Sequence, residues 1–253
     1  MKQARRMSAP RAMAVCQCFN GALEFQAGRW DEAEAALKES IKLSREIGAA
    51  SAEALSCQRL GVLLTARGQI DEALQILEEG VVAAERAVMR AHCLTRLYAA
   101  IARNRLEAND LPAAENALAL GLEMSERHGN CTTCDALLLP AAISVRVAQG
   151  RFDEAELFCQ RLDEAANEYG SRTWVAMAQQ ARGELAAALN DVATAVAHYT
   201  AAYEDFRQAN YDYEAARCLT AVAELYRRTE AEAEAQTAQH EADNILARLH
   251  APH

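Results

Sequence analysis

A six-residue phrase recurs six times along this chain at an almost constant interval. A turn-favouring residue stands first in most copies, alanine stands sixth in all, and an apolar residue fills the third position in five. The first residues of successive copies are 40, 41, 41, 40 and 40 positions apart. The copies occupy residues 28–33, 68–73, 109–114, 150–155, 190–195 and 230–235. Such a period indicates stacked supersecondary units, none of which can bury its apolar face alone.

The chemistry of the phrase predicts the turn of a helical hairpin. Glycine or asparagine in the first position ends a helix in the left-handed conformation at low steric cost. The apolar third residue can pack into the turn, and the alanine lets two antiparallel helices approach closely. In three copies an aspartate follows the apolar residue, and we expect Asp31, Asp71 and Asp153 to cap the next helix.

A second small residue precedes the turn by seven positions in five of the six copies, whereas the fourth copy has Ile143 there. Apolar residues such as Leu74, Leu77 and Val81 recur at three- and four-residue spacing beside the turns, which indicates amphipathic helices. The small residues are Gly21, Gly61, Ala102, Gly183 and Ala223. Each copy therefore predicts two closely crossing helices.

The composition agrees with an all-α protein and excludes some functions. Alanine accounts for 57 of the 253 residues, whereas aromatic residues make up only 6%. The net charge of −10 argues against direct nucleic-acid binding, because affinity for a phosphate backbone comes from neutralising cations. No signal-peptide core follows the amino end, and the longest apolar stretch, residues 136–145, is too short to span a membrane. We therefore expect a cytoplasmic protein.

The pattern resembles the tetratricopeptide repeat (TPR), in which a small residue, a turn residue, an apolar residue and an alanine follow one another at these spacings. The period exceeds the usual value of about 34, and in this the chain is similar to the TPR regions of bacterial transcription regulators of the MalT and AfsR type. The resemblance implies an α-solenoid, a right-handed superhelix of about six stacked antiparallel helical hairpins. After a basic tail at residues 1–10, we expect a single solenoid domain over residues 11–250. Its predicted repeats are 11–50, 51–90, 91–130, 131–170, 171–211 and 212–250.

The resemblance also implies a function, because such regions bind partners on a concave face lined by the first helix of each hairpin. We expect a non-enzymatic module that recognises a protein, a peptide or a small effector. It would be a bacterial regulatory or sensor protein, or the effector domain of one. Arginines on this face could pair with a carboxylate. Ordinary solvated side chains are the competing and favoured interpretation. The predicted groove residues are Phe25, Gln58, Arg59, Val62, Arg96, Arg103, Leu137, Ser144, Gln180 and Arg217.

Eight cysteines suggest an alternative function. Cys131 and Cys134 form a C-x-x-C pair at a predicted helix start, and Cys93 holds the register of Cys134 one repeat earlier. His92 and His128 are close to this cluster in sequence. Cys93, Cys131 and Cys134, with His128, could bind zinc or an iron–sulfur cluster, or could act as a redox switch. Buried free thiols are the competing interpretation. The sequence does not favour a bound cofactor.

Two further expectations concern catalysis and self-association. The sequence contains no nucleophile elbow, no phosphate-binding glycine loop and no H-E-x-x-H motif, so we do not expect an enzyme. The first hairpin begins with apolar Met13, Val15 and Phe19, which suits a surface that pairs with another copy or with a further domain. A homodimer through the N-terminal hairpin is therefore predicted.

Overall fold

The computed structural model describes residues 9–249, which form twelve α-helices and no strand within that range. The prediction of an all-α chain is confirmed. Of the predicted tail at residues 1–10, the first eight residues lie outside the described part, whereas Pro10 already begins the first helix. The helices are α1 (Pro10–Gln26), α2 (Trp30–Glu46), α3 (Ala50–Ala66), α4 (Ile70–Glu85), α5 (Arg90–Glu107), α6 (Leu111–Arg127), α7 (Thr132–Ala148), α8 (Phe152–Tyr169), α9 (Arg172–Ala188), α10 (Val192–Gln208), α11 (Asp212–Arg228) and α12 (Glu232–Leu249).

Within each of two compact units, neighbouring helices pack against one another as stacked pairs, as predicted. The helices divide into two compact units, an amino-terminal unit that ends at Leu138 and a carboxy-terminal unit that begins at Leu139. The amino-terminal unit has apolar clusters around Leu37 and Leu94, and the carboxy-terminal unit has clusters around Ile143 and Phe206. The prediction of one domain over residues 11–250 stays a prediction. Within residues 9–249, no helix is both long enough and apolar enough to cross a membrane.

The first residue of every phrase adopts the left-handed conformation that the sequence predicts. The φ angles of these residues lie between 58° and 76°. Glycine and asparagine accept this conformation readily, whereas the sixth copy places a glutamate, Glu230, at φ 59°. The residues are Gly28, Gly68, Asn109, Gly150, Asn190 and Glu230. The degenerate sixth phrase thus folds like the others.

The expectation that Asp31, Asp71 and Asp153 cap their helices is wrong. The apolar residue before each aspartate is already the first helical residue, so each aspartate lies in the first turn. The N-cap is instead the second residue of the phrase, which precedes the apolar residue. In the first turn, the charge of the aspartate still favours the positive end of the helix dipole. The true caps are the second residues of two other phrases. Asp110 accepts a hydrogen bond from the Ala113 amide at 3.1 Å, and Asp191 accepts one from the Thr194 amide at 3.2 Å.

The small residues seven positions before the turns permit the close helix crossings that the sequence predicts. A Cβ atom added to Gly61 would lie 2.4 Å from Leu77 Cγ, and one added to Gly21 would lie 2.5 Å from Leu37 Cγ. The partner residue is sixteen positions ahead in both copies. In the fourth copy the large Ile143 has the small Cys159 sixteen positions ahead, and both belong to one buried cluster. In this copy the large side chain therefore lies on the first helix and the small one on the second, which explains why Ile143 departs from the pattern.

Candidate functional site

The first helices of neighbouring hairpins lie side by side in the amino-terminal unit. Helix α3 contacts both α1 and α5. Side chains on the matching faces of these three helices therefore come together although they are about 40 residues apart in sequence. Arg59 of α3 and Arg96 of α5 are two such side chains, and both belong to the predicted groove set.

Arg59 is half-buried and is held by the first helix. Its Nη1 donates a hydrogen bond to the Cys18 sulfur. Its guanidinium carbon lies 4.7 Å from the centroid of the Phe19 ring, within the range of a cation–π contact. These contacts orient the guanidinium but do not neutralise its charge. Within residues 9–249, Arg59 forms no ion pair.

Arg96 is also half-buried, and its hydrogen bonding is incompletely satisfied. Its Nη1 makes a long hydrogen bond of 3.4 Å to the Thr133 carbonyl, whereas its buried Nε has no acceptor among the described residues. Burial, together with the neighbouring positive charge of Arg59, lowers the pKa of Arg96. A buried N–H without an acceptor costs about 1–3 kcal/mol. An anion bound beside both guanidinium groups would therefore relieve this cost and their mutual repulsion.

The structure places other predicted groove residues of this unit in the packing between helices. Phe25 is half-buried and lies 5.4 Å, centroid to centroid, from Trp30 in the first hairpin. Gln58 is buried, and Val62 packs against the core cluster that contains Leu94. Arg103 and Leu137 are half-buried. Phe25 and Gln58 thus differ from the open groove position that the repeat alignment predicts.

In the carboxy-terminal unit, the predicted residues bond to acidic side chains on first helices. The Ser144 hydroxyl donates to Glu184 at 2.8 Å, and the Gln180 amide donates to Glu214 at 3.3 Å. Arg217 forms an ion pair with the same Glu214 at 3.3 Å. This unit therefore presents partnered carboxylates at these positions, in contrast to the two arginines of the amino-terminal unit.

A second group of polar side chains lies beside Arg96. Cys131 is the last residue before α7, Cys134 lies in the first turn of α7, and His92 lies in the first turn of α5. Their potential ligand atoms all lie within 4.8 Å of one another, and His92 Nδ1 is 3.1 Å from the Cys134 sulfur. Cys131 is exposed, His92 is half-buried and Cys134 is buried. The helix start predicted for the C-x-x-C pair is confirmed.

The surroundings shift the pKa values of Cys131 and Cys134 in opposite directions. A hydrogen bond with the Thr133 hydroxyl lowers the pKa of Cys131. Burial raises the pKa of Cys134 to about 12. Burial, with a smaller effect from Arg96, lowers the pKa of His92, so that its imidazole is neutral near neutral pH.

This group corrects the metal-ligand set that the sequence suggests. Cys93 is buried in the core cluster of the amino-terminal unit, with its sulfur 4.0 Å from the Ser51 carbonyl oxygen. His128 is exposed beyond the end of α6 and is not a member of the group. The positions at which the helices start explain why His92, and not Cys93, lies beside Cys134. His92 is the third residue of α5 and Cys134 is the third residue of α7, whereas Cys93 is the fourth residue of its helix.

The comparisons with known proteins support the repeat assignment. A family model described as the MalT-like TPR region matches residues 9–252. The fold is similar to the crystal structure of a Rap protein complexed with Competence and Sporulation Factor, with a TM-score of 0.76 and 14% identity. That similarity covers 95% of this chain and 65% of the Rap chain. None of the curated proteins matches this sequence closely enough to count as a relative.

Two other solved structures have the same fold. BtubC (BKLC) from P. vanneervenii is 17% identical with a TM-score of 0.59, covering 88% of this chain and 93% of that one. A signal-transduction ATPase of the STAND class with a tetratricopeptide repeat sensor, from Pyrococcus horikoshii, is 12% identical with a TM-score of 0.59. It covers 90% of this chain, which spans only 34% of that protein. At these identities the likeness shows the fold alone.

The six-copy period and the twelve helices of residues 9–249 agree with a TPR region, and the family model matches nearly the whole chain. The TPR fold is in general a non-catalytic scaffold for interactions. The chain belongs to the family of MalT-like TPR regions.

Proposed function

We propose that this chain is a non-enzymatic binding module that recognises a carboxylate-bearing peptide or protein segment. The ligand binds on the first-helix face of the amino-terminal unit, where Arg59 and Arg96 pair with its carboxylates. We place the module in a bacterial cytoplasmic regulator, as its sensor part. The observation that carries the proposal is the pair of adjacent guanidinium groups without an ion-pair partner in the described part of a chain of net charge −10.

Two other arginines of the same protein form the ion pairs that Arg59 and Arg96 lack. Arg45 pairs with both Glu53 and Glu79 at 2.7 Å, and Arg182 pairs with Glu156 and Asp163. With 36 acidic residues for 26 basic ones, a carboxylate partner is easily supplied where the fold requires it. Arg59 and Arg96 are thus available for a carboxylate from outside the chain.

The chemistry of the face favours an acidic peptide. A guanidinium group binds a carboxylate through two parallel hydrogen bonds, and partial burial strengthens the pairing. The half-buried Val62 gives apolar contact area beside the charges. The similar Rap protein was crystallised with Competence and Sporulation Factor, and the similar STAND protein is described as carrying a TPR sensor, which supports a sensing role.

The thiols support the proposed compartment. All eight cysteines are free, and six of them are buried. Reduced thiols persist in the cytoplasm, whereas export would expose them to an oxidising environment.

We also propose that the chain forms a homodimer through α1. Val15, Phe19 and Leu23 follow one another at four-residue spacing and are 39%, 56% and 62% exposed. An apolar stripe of this kind on the first helix of the repeat array suits contact with an identical stripe.

A peptide selection tests the binding proposal. The reduced protein, with a metal chelator present, is offered a library of short randomised peptides, and the selected peptides are sequenced. We expect enrichment of aspartate and glutamate. The affinity of the selected peptides, measured by fluorescence anisotropy, should weaken at least tenfold in Arg59→Gln and in Arg96→Gln, a loss of about 1.4 kcal/mol or more.

The matched control is Arg127→Gln. Arg127 lies on a second helix, is exposed and pairs only with Glu123 among the described residues, so its replacement should leave the affinity unchanged. A selection without acidic enrichment would contradict the proposal, as would peptides that bind both arginine variants as tightly as the unmodified protein.

A further inference from the structure

We infer that His92, Cys131 and Cys134 form a binding site for a thiophilic divalent ion, with Zn²⁺ as the best match. His92 and Cys134 lie in the first turns of α5 and α7, Cys131 directly precedes α7, and all three belong to the amino-terminal unit. The site is separate from the Arg59–Arg96 pair in its donor atoms, although Arg96 lies next to it.

The donor spacing fits one ion. Zinc binds sulfur at about 2.3 Å and imidazole nitrogen at about 2.0–2.1 Å, so tetrahedral ligands lie roughly 3.3–3.8 Å apart. The His92 nitrogen and the Cys134 sulfur are 3.1 Å apart, and all three donors lie within 4.8 Å of one another. An ion can therefore replace the contact between His92 and Cys134 with side-chain adjustments of a few tenths of an ångström to about one ångström.

The backbone holds the C-x-x-C pair in place before any ion binds. The Cys131 carbonyl oxygen accepts hydrogen bonds from the Cys134 amide at 2.8 Å and from the Asp135 amide at 3.0 Å, which fixes the first turn of α7. The buried Asp135 in turn accepts a hydrogen bond from the Ser125 hydroxyl at 3.1 Å, which joins this turn to α6. The exposed Cys131 gives an ion a route of entry from solvent.

The donor set selects the class of metal. Two thiolates and one imidazole suit zinc or another soft ion, whereas magnesium and calcium require oxygen ligands. Two thiolates balance the charge of a divalent ion, so the loaded site adds no net charge beside the Arg96 guanidinium. Three protein ligands leave a fourth coordination position for water or for a donor atom of a bound partner.

Cobalt titration tests the site. The protein is purified under reducing, anaerobic conditions, stripped with a chelator and titrated with Co²⁺, which absorbs visibly in tetrahedral sulfur sites. We expect thiolate-to-cobalt charge-transfer absorption that saturates at one ion per chain and disappears on addition of Zn²⁺. Cys131→Ser and His92→Gln should each lower the affinity for Zn²⁺ at least tenfold in competition with a zinc indicator.

Two control variants sharpen the result. Cys93→Ser should keep the cobalt spectrum, because Cys93 faces the core, and Arg59→Gln should keep it even though it weakens peptide binding. Circular dichroism verifies that each variant is folded, and the exposed Cys131 gives a variant that leaves the core untouched. The inference is overturned if the unmodified protein shows no charge-transfer band, or if the band survives in Cys131→Ser and His92→Gln.

Discussion

At the scale of single residues, the turn positions show which chemistry the repeat requires. The first residue of each of the six phrases adopts positive φ, and the chain fills these positions with glycine, asparagine and, at the sixth, Glu230. The sequence predicts this conformation because few residues tolerate it. It does not predict the caps correctly, because the helix begins one residue earlier than the aspartates of three copies suggest.

The turn of the fourth hairpin allows a direct test of this requirement. Gly150 has φ 70° and open space around its missing Cβ, so any effect of substitution comes from the backbone. We expect Gly150→Ala to lower the free energy of unfolding by about 1 kcal/mol. Gly150→Asn should cost less than about half of that, since Asn109 and Asn190 adopt the same conformation in their repeats. Urea unfolding measures both, and equal losses would contradict the argument.

The close crossing in the second hairpin gives another prediction. Gly61→Ala places a Cβ atom against buried Leu77. Overpacking costs about 1–3 kcal/mol and the gain in helix propensity is about 1 kcal/mol, so we expect a net loss of up to about 2 kcal/mol. Leu77→Val should relieve part of this loss in the double variant. A double-mutant cycle from urea unfolding should therefore show favourable coupling between the two positions. Strictly additive losses would show that the two side chains do not compete for space.

At the scale of helices, one residue more or less decides which side chains meet. Helix α5 has 18 residues and α7 has 17, so alignment on the turn phrases pairs Cys134 with Cys93, whereas the helix starts pair it with His92. The period is visible in the sequence, but helix ends are uncertain by a residue or more. The sequence therefore predicts the hairpins, the C-x-x-C position and the nearness of His92, but not that His92 replaces Cys93 as the third donor of the candidate metal site.

A buried asparagine that sequence reasoning missed joins two hairpins. The Asn104 amide donates to the Thr65 hydroxyl and to the Ile70 carbonyl, both at 3.0 Å, and so ties α5 to the turn between α3 and α4. Its polar side chain gives no periodic signal by which it could be recognised. Its oxygen also accepts hydrogen bonds from Arg105.

We expect Asn104→Ala to lower the free energy of unfolding by about 1–3 kcal/mol, because polar groups buried with Asn104 lose their partners. Asn167→Ala, at an exposed position of α8, is the matched control and should change it by less than about 0.5 kcal/mol. Urea unfolding followed by circular dichroism measures both variants. Similar effects of the two substitutions would show that Asn104 contributes no specific stabilisation.

The apolar stripe on α1 makes a prediction about self-association. Leu23 and Leu157 are similarly exposed, at 62% and 59%, but only Leu23 belongs to the stripe. Light scattering across a concentration series should show a dimer for the unmodified protein and for Leu157→Glu. Leu23→Glu should be monomeric, because a charge would be buried without a partner. A monomeric unmodified protein, or a dimeric Leu23→Glu variant, would contradict the proposed interface.

At the scale of the whole molecule, charge and fold together limit what the protein can bind. The family and the hairpin count follow from a period that is readable in the sequence, because each copy must stack to bury its apolar face. The sequence does not predict the division at Leu138 or the partners of individual arginines. They depend on three-dimensional neighbours such as Cys18 and Thr133, which lie about 40 residues from the arginines they contact.

The central claim is that Arg96 and Arg59 receive a carboxylate, and the buried Arg96 Nε–H reports on it directly. We would follow the arginine Nε–H signals by NMR during titration with an acidic peptide from the selection and with its counterpart in which glutamine and asparagine replace the acidic residues. The account predicts that the acidic peptide shifts the Arg96 signal in a saturable manner and that the amide counterpart does not. An Arg96 signal that stays unchanged while the acidic peptide saturates the protein would contradict it.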